Sequence, residues 1–322
     1  MVSAAQVAVE VDGLSKRYGT LEAVRSVSFA VERGEVFALL GPNGAGKTTT
    51  VEILEGFRSR DAGTVSVLGH DPSGRPRALR ERLGIVLQEL AVEPNLTVRE
   101  VLTRNAGYYP SPRPVDEVIA LVGLEGKASS RIARLSGGQQ RRLDVGLGII
   151  GRPELIFLDE PTTGFDPSAR RGAWDLVRAL QEGGTTIILT THYMDEAEAL
   201  ADRVAVIARG QIVALGPPSS IGGRDVSEAT IRFRMPPGVA ASDLPVPARA
   251  IGEFAELTSA DEIESLHRLT GWALERALPL TGLTVERLTL EDVYLRLTAG
   301  SDGAGSIGAP TEQLSASVGG RR

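Results

Sequence analysis

The stretch Glu35-Val36-Phe37-Ala38-Leu39-Leu40-Gly41-Pro42-Asn43-Gly44-Ala45-Gly46-Lys47-Thr48-Thr49 decides the fold. Its first six residues read as a short β-strand, apolar from Val36 to Leu40, and from Lys47 to Phe57 the pattern turns helical. Between the two lies G-x-x-x-x-G-K-[ST], carried by Gly41, Gly46, Lys47 and Thr48. Glycines at that spacing let the backbone curl until successive N–H groups point inward and cradle phosphate oxygens. The following helix adds the positive end of its dipole. Lys47 then suits the β- and γ-phosphates of a nucleotide, and the Thr48 hydroxyl suits Mg²⁺. Lysine is otherwise scarce: only Lys16 and Lys127 accompany Lys47, so its position carries more information than usual.

Working outward, short β segments precede the loop at Val7–Val11 and, with partial alternation, at Val24–Val31. Further segments follow at 64–68 and 84–87, and residues 97–124 read as helical with an interruption at Pro110-Ser111-Pro112-Arg113-Pro114. Leu155-Ile156-Phe157-Leu158 is a continuous apolar run, as expected of a strand buried on both faces. Helix 167–182, strand Thr185–Thr190, helix 193–200 and strand Val204–Ala208 come next, an alternation that argues for an α/β fold with a mainly parallel core. Gly216-Pro217-Pro218-Ser219-Ser220-Ile221-Gly222-Gly223 reads as a linker. The expected division is therefore a main domain over 1–216, a linker over 217–228, a small C-terminal α+β domain over 229–298 and a disordered Gly/Ser/Ala-rich tail over 299–322.

Composition removes several function classes. With 322 residues, 42% hydrophobic and 24% charged, the chain has the balance of a globular protein. Against 41 acidic residues stand 35 Lys and Arg, a net charge of −6 that disfavours general binding to a phosphate backbone, so no nucleic-acid partner is expected. The absence of cysteine excludes disulfides, thiolate metal sites and cysteine nucleophiles. No apolar run is long enough to span a bilayer, and Met1–Gln6 has none of the features of a signal peptide. His70 and His267 read as surface or packing residues, Trp272 as core, and the arginine-rich stretches Arg75 to Arg82 and Arg141-Arg142 as solvated helix faces.

A phosphate loop of this kind needs a second Mg²⁺ ligand at the end of a buried strand, and the run 155–158 delivers Asp159 there. The adjacent Glu160 is placed to polarise a water attacking a γ-phosphate. Leu135-Ser136-Gly137-Gly138-Gln139 lies 20 residues before that strand and opens another helix, a second anion cradle. These five residues are identical to the signature motif of ATP-binding cassette (ABC) proteins, and the chain as a whole resembles the nucleotide-binding subunit of an ABC transporter.

The resemblance implies a P-loop NTPase fold with a mixed-sheet core, a helical subdomain over about 89–150 and an antiparallel β subdomain. It implies ATP held by Gly41 to Thr49, with the cradle at Ser136 closing over the γ-phosphate bound to the opposite subunit of a head-to-tail homodimer. Family positions are matched by Tyr18 (adenine stacking), Gln88 (Mg²⁺, the attacking water and the membrane partner), Asp166 (communication between the two sites) and His192 (γ-phosphate). Phe165 stands where leucine is commoner.

Leu54-Glu55-Gly56, Thr162 to Pro167, Thr191 to Glu198 and Leu290 to Thr298 are similar to bacterial ATPases of the daunorubicin-resistance type. That likeness implies a peripheral subunit on the cytoplasmic side of the cell membrane, driving a separate permease that exports drug- or lipid-like molecules. The surface from Gln88 to Tyr109 would receive the permease. Soluble translation or repair ATPases are the alternative. They resemble two cassettes joined in one chain, or a cassette split by coiled coils, whereas Lys47 and Asp159 here are 112 residues apart with no sustained heptads between.

Overall fold

The computed structural model describes residues 6–86, 92–163, 165, 167–226 and 228–299. Two long antiparallel strands, β1 (Val7–Tyr18) and β2 (Leu21–Glu32), begin the chain, and the loop strand β3 (Val36–Leu40) runs into helix α1 (Lys47–Leu54). Then come β4 (Ala62–Val67), the short α2 (Arg77–Arg80) and β5 (Leu83–Val86). The region expected to be helical holds α3 (Val98–Ala106), α4 (Val115–Leu121) and α5 (Gly137–Ile149). Thr97 and Ser136 cap α3 and α5 with reciprocal side-chain bonds to Glu100 and Gln139. The prolines 110–114 separate α3 from α4, since proline lacks the helical donor.

Strand β6 (Leu155–Asp159), α6 (Pro167–Glu182), β7 (Thr186–Thr191), α7 (Met194–Leu200), β8 (Arg203–Ala208) and β9 (Gln211–Gly216) complete the main body. Six strands form one sheet in the order β5-β6-β7-β3-β8-β9, parallel except for the antiparallel β8–β9 pair. Strand β1 lies between β2 and β4 in a separate antiparallel sheet.

Side-chain alternation along the central strands explains the layering. Val36, Ala38, Leu40, Ile156 and Leu158 join one core with α3 to α7, while Phe37, Leu39, Leu155 and Phe157 join a second core with α1 and the antiparallel sheet. Each of these nine residues is at most 1% exposed. Burial on both faces is why β3 and β6 read as unbroken apolar runs. Phe29 stacks on Phe37 across the second core, ring centroids 5.1 Å apart.

Beyond residue 228, β10 (Ala229–Arg234), β11 (Arg249–Ile251), β12 (Phe254–Ser259) and β13 (Thr284–Glu286) form a sheet in the order β11-β12-β10-β13. Helix α8 (Glu262–Glu275) packs Leu269, Trp272 and Ala273 against it. The hairpin β11–β12 was not foreseen.

Two boundaries differ from expectation. Ile221, within the stretch expected to be a linker, is 3% exposed in the main core. The last helix, α9 (Leu290–Ala299), lies against α7 of the main body and not in the small sheet's core. Leu290 is fully buried there, and its N–H donates to Glu198 Oε1. Arg224 ties the region together, pairing with Glu198 at 2.7 Å and donating to the Leu288 carbonyl. Apolar residues of α9 needed a partner, and the sequence pattern does not say which domain supplies it. The tail beyond 299 lies outside the described residues.

Candidate functional site

Strands β6, β7 and β3 are neighbours in the sheet, and their carboxyl ends deliver Asp159 and Glu160, His192, and the glycine loop to one edge. Ligands of open α/β sheets bind at that edge. Gly46 caps α1 with φ 106°, a conformation that L side chains rarely adopt. A Cβ on Gly41 would stand 2.3 Å from the Ile207 carbonyl oxygen, and one on Gly46 would stand 2.4 Å from that of Ala23. These two positions therefore fit only as glycine, and no side chain caps the first amides of α1.

Lys47 is 5% exposed, and its ammonium donates to the carbonyls of Gly41 at 2.6 Å and Pro42 at 3.1 Å. Burial pushes its pKa down, while the carboxylates of Glu160 and Asp159 oppose that shift. A cleft of about 450 Å³ runs from Tyr18 past Asn43, Lys47 and Thr48 to Glu160. Tyr18 is 38% exposed, with the Arg58 guanidinium 5.2 Å from its ring centre.

Glu160 sits in the left-handed region at φ 45°, which costs a non-glycine residue about 1 kcal/mol. The surroundings hold it there. Its N–H donates to the Thr190 carbonyl at 3.1 Å, and Thr190 also donates through its hydroxyl to Asp159 Oδ1. Both carboxylate oxygens are engaged, Oε1 with His192 Nδ1 at 3.0 Å and Oε2 with the Thr163 hydroxyl at 3.1 Å. A carboxylate fixed at both oxygens, beside a buried lysine, can orient and deprotonate a water.

The second cradle stands elsewhere: the lining of the cleft includes none of Ser136, Gly137 and Gly138. Ser136 Oγ accepts from the Gln139 N–H at 3.3 Å, and Gln139 Oε1 accepts from the Ser136 N–H at 3.0 Å. Gln88, Gly164 and Asp166 lie outside the described residues.

One expectation is overturned. Arg141 is not a solvated helix face; its side chain is 10% exposed and reaches the turn that carries Glu160. Arg75 and Arg82 are likewise bonded, to the Gly56 carbonyl and to Glu154. Sequence reasoning also missed Thr163, Thr190 and the fully buried Glu196, which accepts from the Thr162 hydroxyl at 2.8 Å. A signal for Arg141 existed in its i,i+3 spacing from Asp144.

Comparison with known proteins agrees with this architecture. Residues 24–163 match the family model described as ABC transporter, and 229–289 match the C-terminal domain of ABC transporter domain-containing protein-like proteins. The chain is 37% identical to the daunorubicin resistance ATP-binding protein DrrA3 of Streptomyces coeruleorubidus, over 91% of its own length and 96% of the relative's. It is 38% identical to the Nod factor export ATP-binding protein I of Paraburkholderia xenovorans, over 91% and 97%. Among solved structures, an ATP-binding subunit of an ABC transporter superposes with a TM-score of 0.61 at 28% identity, covering 66% of this chain and 90% of that one. The cbiO1 structure from Clostridium perfringens gives 0.59 at 28%, covering 66% and 90%. The chain belongs to the ABC transporter family, as an ATP-binding, ATP-hydrolysing subunit.

Proposed function

We propose that this chain powers export through a separate membrane permease, by ATP-driven closure of two copies arranged head to tail. The observation that carries this reading is the second cradle. Gly137 and Gly138 begin a helix, where glycine is unfavourable by up to about 1 kcal/mol relative to alanine. Neither has positive φ, and a Cβ on either would meet nothing within 4 Å. No contact among the described residues demands glycine there, and the helix start is left open to the approach of another molecule. A triphosphate held on a second copy's Lys47 loop has the right charge for a helix N-terminus.

In the proposed reaction, water attacks the γ-phosphate in line, its new P–O bond forming as the bond to the β,γ-bridging oxygen breaks and ADP leaves. Glu160 takes the proton, with Thr163 and His192 fixing its two oxygens. Lys47 exchanges its loop carbonyls for phosphate oxygens and, with His192, stabilises the developing charge. Tyr18 stacks on adenine. Thr48 and Asp159 offer hard oxygen donors that would hold a magnesium ion. That ion would neutralise phosphate charge. Gln88 and Asp166 are assigned to water orientation and communication between sites.

The names of the relatives, daunorubicin resistance and Nod factor export, support export of drug- or lipid-like cargo. Among the described residues no helix is long and apolar enough to cross a membrane, which fits a peripheral place on the cytoplasmic side, held by the permease near Gln88 to Tyr109. The unit over 229–289 supports dimerisation or regulation.

Glu160→Gln tests the core of the reading. ATP binding should persist, a nucleotide-dependent dimer should accumulate on size exclusion, and turnover should fall about 100- to 10,000-fold. Undiminished hydrolysis would remove Glu160 as base. Lys47→Ala should weaken ATP binding, and unchanged affinity would contradict the loop assignment. Affinity purification of the chain from its native membrane should bring down a polytopic permease.

A further inference from the structure

Arg141 lies in the second turn of α5, the helix opened by Ser136. Its guanidinium reaches out of α5 and donates to the backbone of the turn after β6. Nη2 bonds the Asp159 carbonyl and, at 3.5 Å, that of Glu160, while Nε bonds the Pro161 carbonyl at 3.5 Å. Three consecutive carbonyls thus share one planar donor fork. Nη1 is held at 3.0 Å by Asp144, one helical turn further along, whose side chain is 11% exposed. The middle of the three residues is Glu160, the one whose φ of 45° needs support from its surroundings.

The geometry points to Arg141 as a positioning residue for hydrolysis: it locks the signature helix to the turn that aims Glu160. The inference rests on the reading of Glu160 as base and of Ser136 as the contact to the partner's triphosphate. On that reading each chain works at two sites, its own Glu160 at one and its Ser136 at the other. Arg141 joins them inside the chain. A shift of α5 on engaging the partner's nucleotide is carried to the Asp159–Pro161 backbone through a rigid fork rather than a flexible loop. Lysine keeps the charge but is a point donor on a flexible stem, and cannot bond three carbonyls and Asp144 together.

The test compares Arg141→Lys, Arg141→Gln and the neighbouring control Arg142→Gln in the full chain, with Glu160→Gln in parallel. Arg141→Lys, which keeps the charge and so guards against loss of folding, should lower kcat about 10- to 100-fold, the range expected of a misaimed catalytic group. Its KM for ATP should stay within about threefold of the parent, and the dimer should still form with a slowly cleaved analogue, because nucleotide contacts are untouched. Arg141→Gln should lose more, and Arg142→Gln should hydrolyse at the parent rate.

A merely structural role would lower the melting temperature and leave the single-turnover rate of the folded fraction unchanged. That outcome overturns the proposal, as does a loss confined to KM or an equal loss in Arg142→Gln. If Glu160→Gln is inactive while both Arg141 variants turn over within about threefold of the parent, the role of Arg141 alone fails. If Glu160→Gln hydrolyses normally, the reading of the base fails first.

Discussion

The chain builds two glycine-lined helix starts, and they are glycine-rich for opposite reasons. At the first, before α1, Gly41 and Gly46 press against the carbonyls of Ile207 and Ala23, and Gly44 and Gly46 have φ of 81° and 106°. The fold itself forbids side chains there. At the second, before and within α5, Gly137 and Gly138 have ordinary helical backbone and open space around the missing Cβ. A glycine required from inside reports on the chain's own packing. One with no internal requirement, at an open helix start, leaves room for what approaches from outside, which on the proposed function is the partner's nucleotide.

The largest expected effect on the folded chain is at the first start. Gly41→Ala would force a methyl to 2.3 Å from a backbone oxygen that β8 holds in the sheet. Overpacking of that kind costs about 3 kcal/mol or more. For a chain of this size that is a fall of roughly 6–12 °C in melting temperature, readable by differential scanning fluorimetry without nucleotide. A Gly41→Ala variant melting with the parent would mean the loop is not held as tightly as the contact distance implies.

A second effect, of comparable size, separates the two helices by pH. Glu55 follows the last residue of α1, and its pKa is raised from 4.5 to about 8 by burial and by the negative charges of Asp159 and Glu52. The folded carboxyl keeps its proton up to about pH 8, whereas the unfolded one loses it near 4.5. The native state therefore binds more protons between these values, and stability falls as pH rises through that window, levelling off above it. The full loss is at most about 5 kcal/mol. Asp144, on α5, is raised only to about 6, because Arg141 opposes its burial, so its slope ends earlier. Glu55→Gln should match the parent at pH 5 and melt higher at pH 8.5, both measured without added divalent cation. Parallel melting curves across pH would sink the assignment.

What the sequence could say follows the same divide. The placement of the loop after β3, of Asp159 and Glu160 at the end of β6, and of His192 after β7 was legible because strict local spacing carries it. The three landmarks sit at adjacent strand ends because β6, β7 and β3 are neighbours, an order no local pattern encodes. Arg141 was misread because a charged residue on a helix is usually solvated, and only the tertiary fold brings three carbonyls within its reach. The packing of α9 on α7 and the pairing of β11 with β12 escaped for the same reason. Apolar periodicity says that a face is buried, not against what. Strand β11 has only three residues, all exposed, and so no alternation to read.

The smallest expected change in the chain by itself is the one that tests the comparison hardest. Gly138→Ala places a methyl in open space on a residue already helical, so the isolated chain should melt at the parent temperature or slightly above, by at most about 1 kcal/mol of helix propensity. Its affinity for ATP should also be unchanged, because the cleft that runs from Tyr18 to Glu160 does not include it. Hydrolysis and the analogue-trapped dimer should nevertheless be lost, as the added methyl stands where the partner's terminal phosphate must approach the helix amides. Turnover and the trapped dimer lost together, with stability and ATP binding kept, is a combination that neither Glu160→Gln nor Arg141→Lys produces, since both still form the dimer. If Gly138→Ala instead dimerises and turns over like the parent, those glycines answer to nothing outside the chain, and the difference between the two helix starts loses its meaning.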